Sequence, residues 1–303
     1  MLIRFSYILL FVLLACSCKN REQLSICFTG DLLLDRGVRQ QIERKGSRSL
    51  FEHVSPVFEL YDAVVVNLEC PVTEKVSPLH KKYIFKADPE WVQALSDAGI
   101  SHATMANNHT NDQGRDAMDE TFQYLGKHHI RGIGYGINQN EACSPTLIRK
   151  HGMSVAIFNS VTIPLENWVY LSASPGICQA KPHEMIARIK AYKEDHPAHF
   201  IVVVLHWGVE FAEHPTDEQR YQARSIVDSG ADAVIGHHPH VVQDLERYKG
   251  KPILYSLGNF VFDQHYPSAR KGIMAGLTFY HDSVFVHIHP FDIIDCTPVP
   301  KYR

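Results

Sequence analysis

The chain has 303 residues, of which 45% are hydrophobic and 21% are charged, as is ordinary for a globular protein. The formal net charge is −3 at pH 7, and no cluster of Lys and Arg stands out. Nucleic acid is therefore excluded as the default partner, because neutralising its phosphates requires clustered cations. A chain of this length accommodates one large α/β domain.

The first 18 residues predict a lipoprotein signal peptide. Residues 1–4 are weakly basic, and the apolar run 5–15 has the length of a signal-peptide core but falls short of the roughly 20 residues of a membrane span. Leu13-Leu-Ala-Cys16 resembles a bacterial lipobox, so we expect Cys16 to be lipidated. Cys18 is a weaker candidate, and a plain secretory signal is the alternative. The sequence thus predicts an exported, membrane-anchored lipoprotein of the bacterial cell envelope.

Five cysteines remain beyond the predicted signal peptide. Their number is odd, none forms a Cys-x-x-Cys pair, and their spacing suggests neither a disulfide framework nor a zinc cluster. Several lie in or beside apolar runs, where cysteine is usually a small core residue. We therefore expect no chemistry from these residues, which are Cys27, Cys70, Cys143, Cys178 and Cys296.

Apolar runs alternate with amphipathic segments along most of the chain. The continuous run 63–66 suits a sheet that is covered on both faces. Residues 88–99 carry helix signals at both ends, with Asp88 as the N-cap and Gly99 beyond the last turn. Beyond residue 252 strands follow one another without helices, which predicts an α/β fold with mixed sheets. The predicted strands are 24–28, 63–66, 102–105, 154–158, 200–205, 233–235, 252–256, 274–280 and 284–289, and the predicted helices are 36–45, 88–99, 116–128, 183–196 and 217–229.

Polar side chains stand where five of these apolar runs end. Carboxylate, carboxamide and imidazole groups are ligands of divalent metals, and two such metals about 3.5–4 Å apart can hold both reacting oxygens of a phosphoester. Taken singly, each of these polar strand ends has a structural alternative, such as a turn at Asp31 or a core position for His206. Together they predict a metal site assembled by the fold from Asp31, Glu69, Asn108, His206, His238 and His240.

The sequence around these residues also suggests how the site is built. His109 directly follows Asn108 and is the candidate for protonating a leaving group. His238 and His240 are two residues apart, so both imidazoles point to one side if the segment is extended. Gly236 precedes them and allows the backbone to turn sharply.

The order and the residues of these motifs resemble those of the CapA-type capsule synthesis proteins. These proteins are associated with poly-γ-glutamate capsules and are related to calcineurin-like metallophosphoesterases. The resemblance covers about residues 24–262. The matching text is Gly30-Asp-Leu-Leu-Leu-Asp-Arg36, Asn67-Leu-Glu-Cys-Pro-Val-Thr73, Ala106-Asn-Asn-His109 with Asp112 and Gly114, Gly132-Ile-Gly134, His206-Trp-Gly-Val-Glu210, Gly230-Ala-Asp232, Gly236-His-His-Pro-His240 and Tyr255-Ser-Leu-Gly-Asn-Phe260.

This resemblance implies a four-layer αββα sandwich with a dinuclear centre between two sheets. Asp31 matches the aspartate of the first strand, and Glu69 matches the bridging carboxylate. The chain departs from the phosphoesterase pattern at Leu33, where a histidine usually stands, so one metal pocket lacks a ligand unless another residue compensates. The candidates for compensation are His237, Asp112 and Glu210.

Three residues have candidate roles beside the metal ligands. Glu210 lies four residues beyond His206 and could orient it. Asn259 could line the site, although an Asn after Gly is often only a turn. Arg36 could pair with an anionic substrate, and a surface salt bridge is the alternative for it.

The leading interpretation is an envelope-anchored metal-dependent hydrolase of one CapA-type domain, residues 24–290, with a C-terminal tail at 291–303. It would activate water at one or two divalent ions, Mn or Zn, in biosynthesis of a poly-γ-glutamate-like capsule or surface polymer. We expect an anionic cell-surface polymer or a small molecule as substrate and the membrane as partner through the lipid anchor. The alternatives are a non-catalytic polymer-binding assembly or export factor and a metal-dependent amide hydrolase acting on γ-glutamyl or peptide bonds.

Overall fold

The computed structural model describes residues 23–301. The predicted signal peptide, with its lipidation candidates Cys16 and Cys18, lies outside the described residues and stays a prediction. None of the helices between residues 23 and 301 combines the length and the apolar character that a membrane span needs.

Strands and helices alternate through the first two thirds of the described chain, and strands follow one another in the last third. The strands are β1 Leu24–Leu32, β2 Ala63–Leu68, β3 His102–Thr104, β4 Arg131–Ile133, β5 Tyr135–Gly136, β6 Thr146–Lys150, β7 Met153–Val161, β8 Gly176–Ile177, β9 Phe200–His206, β10 Ala233–His237, β11 Leu245–Tyr248, β12 Lys251–Leu254, β13 Asn259–Val261, β14 Lys271–Tyr280, β15 Ser283–Ile294 and β16 Thr297–Pro300. The α-helices are α1 Gly37–Lys45, α2 Ser55–Phe58, α3 Val92–Asp97, α4 Gly114–Lys127, α5 Gln139–Ala142, α6 Pro182–Asp195 and α7 Asp217–Asp228, with 3₁₀ turns at Ser47–Leu50, Pro89–Trp91 and Ser268–Arg270.

Two large mixed sheets form the framework. The first has the order β16-β15-β14-β1-β2-β3-β4, with β13 also paired to β1, and the second has the order β11-β12-β10-β9-β7-β6. The strands that carry the predicted site residues run parallel to one another, β1 with β2 and β3 in one sheet and β9 with β10 in the other. The outer strands β15, β16, β6 and β11 are antiparallel. The predicted α/β fold with mixed sheets is confirmed.

The central strands of both sheets are buried on both faces. Val65 of β2 and Val204 of β9 belong to the apolar core between the two sheets, whereas their neighbours Val64 and Val203 belong to the core that includes the helices. Because successive side chains of a strand face opposite sides, each sheet packs against the other on one face and against helices on the other. The molecule is therefore the four-layer αββα sandwich that the family resemblance implied.

The register of the strands brings their carboxyl ends to one edge of the sandwich. Asp31 at the end of β1 is paired with Asn67 on β2 and with Asn259 on β13. In the second sheet, His206 at the end of β9 is paired with His237 on β10. Ligand sites of open α/β sheets lie beyond the carboxyl ends of parallel strands, and the predicted site residues are placed there.

Two glycines allow close backbone approach next to these strand ends. A Cβ atom at Gly30 would lie 1.9 Å from the carbonyl oxygen of Gly258. A Cβ atom at Gly236 would lie 1.9 Å from the carbonyl oxygen of Tyr255 and 2.5 Å from Nε1 of Trp207. Gly236 lies inside β10, so tight packing requires a glycine there; the sharp turn that we expected at this residue does not occur.

Two boundaries differ from the sequence-based expectation. The predicted tail 291–303 is not a separate segment in its described part, because β15 continues to Ile294 and pairs with β16 along residues 291–300. The helix predicted to begin after Asp88 starts instead as the 3₁₀ turn Pro89–Trp91, and Asp88 makes no side-chain capping bond. Its carboxylate accepts hydrogen bonds from Arg39 and Lys86.

Contrary to the sequence-based expectation, the cysteines are not all isolated core residues. Cys143 and Cys178 form a disulfide across 35 residues, joining the end of α5 to the end of β8. The small sheet of β5 and β8 packs against α5 and brings the two residues together. Spacing along the chain does not reveal such a contact. Cys27 and Cys70 are free and buried, as expected for small core residues.

Replacing both disulfide cysteines, Cys143→Ser with Cys178→Ser, is expected to lower the free energy of unfolding by about 3–4 kcal/mol, because a cross-link across 35 residues restricts the unfolded chain. Urea unfolding followed by circular dichroism measures the change. A reductant should destabilise the native chain and a Cys296→Ser control, but should not affect the double variant. A native chain that does not respond to reductant contradicts the disulfide.

Candidate metal centre and adjoining pocket

Glu69 is the central residue of the candidate site. It follows β2, its side chain is fully buried, and neither carboxylate oxygen has a hydrogen-bond partner among the described residues. Burial and the nearby charge of Asp31 raise the pKa of Glu69 well above its ordinary value. A buried carboxylate without donors is costly unless a cation compensates it.

Asp31 and His240 lie beside Glu69 and complete a potential ligand set. One ligand-type atom from each of the three residues lies within 4.8 Å of the other two. Nε2 of His240 is 3.7 Å from Oε1 of Glu69, and Nδ1 of His240 is 3.2 Å from Oδ2 of Asp31. Burial opposes protonation of His240, but the two carboxylates raise its pKa to about 9. The positive charge that these carboxylates favour at His240 could equally be supplied by a metal ion.

Asn108, His206 and His238 form a second group next to the first. Nε2 of His206 and Oδ1 of Asn108 lie 2.8 Å apart, and the ring centroids of His206 and His238 are 4.9 Å apart. Burial lowers the pKa of His206 well below its ordinary value and that of His238 to about 3. Both imidazoles are therefore neutral, which is the form that binds metals.

Asn67 connects the two groups. Its Nδ2 donates to Oδ1 of Asp31 at 2.8 Å and lies 3.4 Å from Nδ1 of His206. Its own Oδ1 accepts from Thr104, so the amide is fixed in orientation. The sequence patterns predict no role for Asn67. Its position two residues before Glu69, on the same strand face, could have indicated one.

These donors fit a divalent metal. The three-residue group offers two carboxylates and an imidazole, the second group offers a carboxamide and two imidazoles, and this mixture suits borderline ions such as Mn or Zn. The unpartnered oxygens of Glu69 and the buried, unpartnered Nδ1 of His238 are atoms that a ligated ion would satisfy. Nδ1 of His240 donates to Oδ1 of Asn259 at 2.9 Å, which leaves Nε2 available to a metal.

The His238-Pro-His240 segment is not extended, contrary to the sequence-based expectation. His238 has φ 99° and His240 has φ 59°, both in the region that favours glycine. The two rings still approach each other, with centroids 6.1 Å apart. The turn therefore lies at the histidines themselves, and such strained backbone is concentrated at functional sites.

His109 stands next to these groups and is held by its neighbours. Its Nδ1 donates to Oδ2 of Asp112 at 2.9 Å, and its ring packs against that of Phe85 at a tilt, with centroids 4.2 Å apart. Burial lowers the pKa of His109, and the hydrogen bond to Asp112 offsets this only in part. Asp112 is thus engaged in orienting His109 and does not compensate for the ligand missing at Leu33.

Lys81 fixes the loop that carries Asn108 and His109. Its side chain is only 2% exposed. Its ammonium group donates to the backbone oxygen of Asn108 and to the side chains of Asn111 and Asp112. No pattern in the sequence predicts this role, because Lys81 lies in a polar segment where a lysine is normally solvated.

An open pocket of about 520 Å³ adjoins the candidate metal centre. His109 and His240 form part of its wall, so the site is accessible from solvent through this pocket. Glu210 and Arg36, both predicted as accessory residues, also line it. The remaining wall is contributed by two aromatic-rich segments and a loop after β13, with Tyr83, Phe85, Phe211, Phe262, Asp263, Gln264, His265 and Tyr266.

The remaining predicted residues occupy distinct positions. Nε2 of His237 donates to the backbone oxygen of Thr29 at 2.8 Å, so this nitrogen is not available to a metal. Glu210 is exposed and makes no described bond to His206. Asn259 contacts His240 and also donates to Gln264 and Ala269. Leu33 is fully buried in the apolar core.

Comparison with known proteins agrees with this architecture. Residues 25–264 match the family model described as "Bacterial capsule synthesis protein PGA_cap". The chain is 34% identical over 286 residues to the PGA biosynthesis protein CapA of Bacillus subtilis, covering 92% of this chain and 74% of that protein. It is 30% identical over 292 residues to the capsule biosynthesis protein CapA of Bacillus anthracis, covering 93% of this chain and 70% of that protein.

A solved structure extends the likeness of fold. The 5'-nucleotidase precursor from Thermus thermophilus superposes with a TM-score of 0.51 at 11% identity, over 92% of this chain and 55% of that one. At this identity the likeness shows the fold alone, which is that of the phosphoesterase-type nucleotidases. The match of the family model over most of the chain shows that the protein belongs to the bacterial capsule synthesis protein PGA_cap family.

Proposed function

We propose that this chain is a metal-dependent hydrolase that serves the synthesis of an anionic capsule or surface polymer. The observation that carries the proposal is the buried carboxylate of Glu69, whose two oxygens lack partners beside Asp31 and His240. A purely structural carboxylate would have acquired donors. The names of its relatives, which refer to capsule and PGA biosynthesis, support the polymer as the context of the reaction.

Asp31, Glu69 and His240 would hold one divalent ion, and Asn108, His206 and His238 would supply ligands for a second. Such ions polarise a scissile phosphoryl or carbonyl group and make water a better nucleophile. The chain's own contribution is to fix these ligands. Asn67 orients Asp31, and Asn259 orients His240.

His109 is the residue proposed to move a proton. Its Nδ1 is engaged with Asp112, so Nε2 is the atom that exchanges a proton with substrate. Because burial lowers the pKa of His109, the neutral form dominates at pH 7 in the free protein. Donation to a leaving group therefore requires that Nε2 of His109 first takes up a proton, which the binding of an anionic substrate favours.

A non-catalytic polymer-binding role has one supporting observation. Leu33 lies in the apolar core at the position where a phosphoesterase ligand is expected, so the group around Asp31 has one ligand fewer. The intact His109–Asp112 pair favours catalysis, since a protein that only binds polymer does not need a buried, oriented proton carrier.

Hydrolysis of two chromogenic probes tests the proposal. The full chain, purified in detergent and loaded with Mn²⁺ or Zn²⁺, is assayed with bis(p-nitrophenyl) phosphate and with γ-glutamyl p-nitroanilide, and turnover of one of them should disappear with a chelator. His109→Gln should lower kcat by about 10²–10⁴-fold, because general acid–base catalysis contributes that much, without changing the metal content. The preferred probe separates the phosphoesterase from the amide hydrolase.

The matched control is His53→Gln, which alters a half-exposed histidine outside the site and should retain full activity. Absence of metal-dependent turnover of both probes in the native chain, or full activity in His109→Gln, contradicts the hydrolase and leaves the polymer-binding role.

We also propose that the chain acts outside the cytoplasm, attached to the membrane through lipid on Cys16. The lipobox-like sequence supports the anchor. The disulfide between Cys143 and Cys178 supports an oxidising compartment, because disulfides are rare in cytosolic proteins.

Labelling with a radioactive fatty acid in a bacterial host tests the anchor. Cys16→Ser should lose the label and move from the membrane to the soluble fraction, whereas the control Cys18→Ser should keep both label and location. Label that depends on Cys18 instead, or an unlabelled native chain, contradicts attachment at Cys16.

A further inference from the structure

Arg36 occupies an unusual position in the wall of the pocket. Its guanidinium carbon lies 5.0 Å from the ring centroid of Phe85 and 5.5 Å from that of Phe262. Its Nη2 is paired with Asp263, whose other oxygen accepts from the backbone of Gly37 at 3.0 Å. The group is thus held between two rings and tied at one end, so its position is fixed before any ligand arrives.

The two rings connect Arg36 with the candidate catalytic residues. The ring of Phe85 packs against that of His109 with centroids 4.2 Å apart, and the ring of Phe262 packs against that of His240 with centroids 4.9 Å apart. A ligand that contacts the guanidinium therefore occupies the same pocket as both histidines.

Most of the hydrogen-bonding capacity of Arg36 is unused. A guanidinium has five N–H donors, and within the described part of the chain only Nη2 has a side-chain partner, while Nε is buried without one. Arg39, one helical turn away, provides a contrast. It stacks on Trp91 and donates from Nε, Nη1 and Nη2 to Asp35, Asp88 and the backbone of Lys86.

The backbone of Arg36 is strained, with φ 55° and ψ −123°. This conformation favours glycine, and a side chain there costs free energy that the surrounding structure must offset. Phe211, on the same pocket wall, also has a positive φ of 60°.

We propose that Arg36 is the specificity-determining residue of this pocket and binds an oxyanion of the substrate, a carboxylate or a phosphate, that is separate from the bond being cleaved. The inference rests on the proposed function and names the substrate class: the substrate carries a negative charge next to the reacting group. Planar guanidinium groups bind such oxyanions through two parallel hydrogen bonds. Nη1 has no partner among the described residues and is the donor left for such an oxyanion, with Nη2, which also holds Asp263, beside it.

Ligand-observed NMR titration of the full chain, loaded with Zn²⁺ and kept in detergent, tests this inference. The probes are glutarate for the carboxylate, inorganic phosphate for the phosphate, and the neutral diamide glutaramide. Arg36→Gln should weaken binding of glutarate, of phosphate or of both by at least about tenfold, as expected for the loss of a charge-assisted hydrogen bond. Binding of glutaramide should stay unchanged. The anion that is affected identifies the source of the oxyanion.

Two further variants serve as controls. Arg36→Lys keeps the charge and should bind the affected anion with intermediate strength. Arg39→Gln removes a stacked, ion-paired arginine outside the pocket and should leave anion binding unchanged. Equal affinities for native chain and Arg36→Gln, or an equal loss in Arg39→Gln, overturn the inference. Binding needs no turnover, so a chain that binds anions through Arg36 but hydrolyses neither chromogenic probe disproves only the hydrolase.

Discussion

The burial of the Glu69 carboxylate without hydrogen-bond donors is the constraint on which the site depends. An unpaired buried charge costs several kcal/mol, and burial beside a second carboxylate, Asp31, therefore raises the pKa of Glu69 well above its ordinary value. The protein compensates in part by keeping a proton on His240, whose pKa lies near 9. A divalent cation held by Asp31, Glu69 and His240 would compensate more completely, because its charge would oppose those of both carboxylates.

The surrounding polar residues are arranged to orient ligands, and they leave Glu69 itself unsatisfied. Asn67 donates to Asp31, Asn259 accepts from His240, and Asp112 accepts from His109. Each uses an atom that a metal or substrate does not need. The αββα sandwich makes this possible, because the parallel strands of both sheets end at one edge and place short polar segments there. Metal sites depend on such outer residues to fix their ligands.

Much of the fold could be predicted from the sequence, because buried parallel strands such as 63–66 are continuous apolar runs and their polar ends mark the site. The resemblance to a family supplied the four layers. The pairing of Cys143 with Cys178, the buried role of Lys81 and the left-handed backbone of His238 and His240 could not be predicted. Each depends on contacts between distant segments, and local sequence carries no signal for them. The packing of Phe85 and Phe262 around the Arg36 guanidinium also depends on such distant contacts.

Metal content tests the central claim most directly. Elemental analysis of the full chain after saturation with Mn²⁺ or Zn²⁺ and dialysis is compared between the native protein and Glu69→Gln, an isosteric change that removes the unpaired charge. The account predicts at least one tightly bound ion per native chain and its loss in the variant. A native chain that retains no metal, or a variant that retains as much as the native chain, would contradict it.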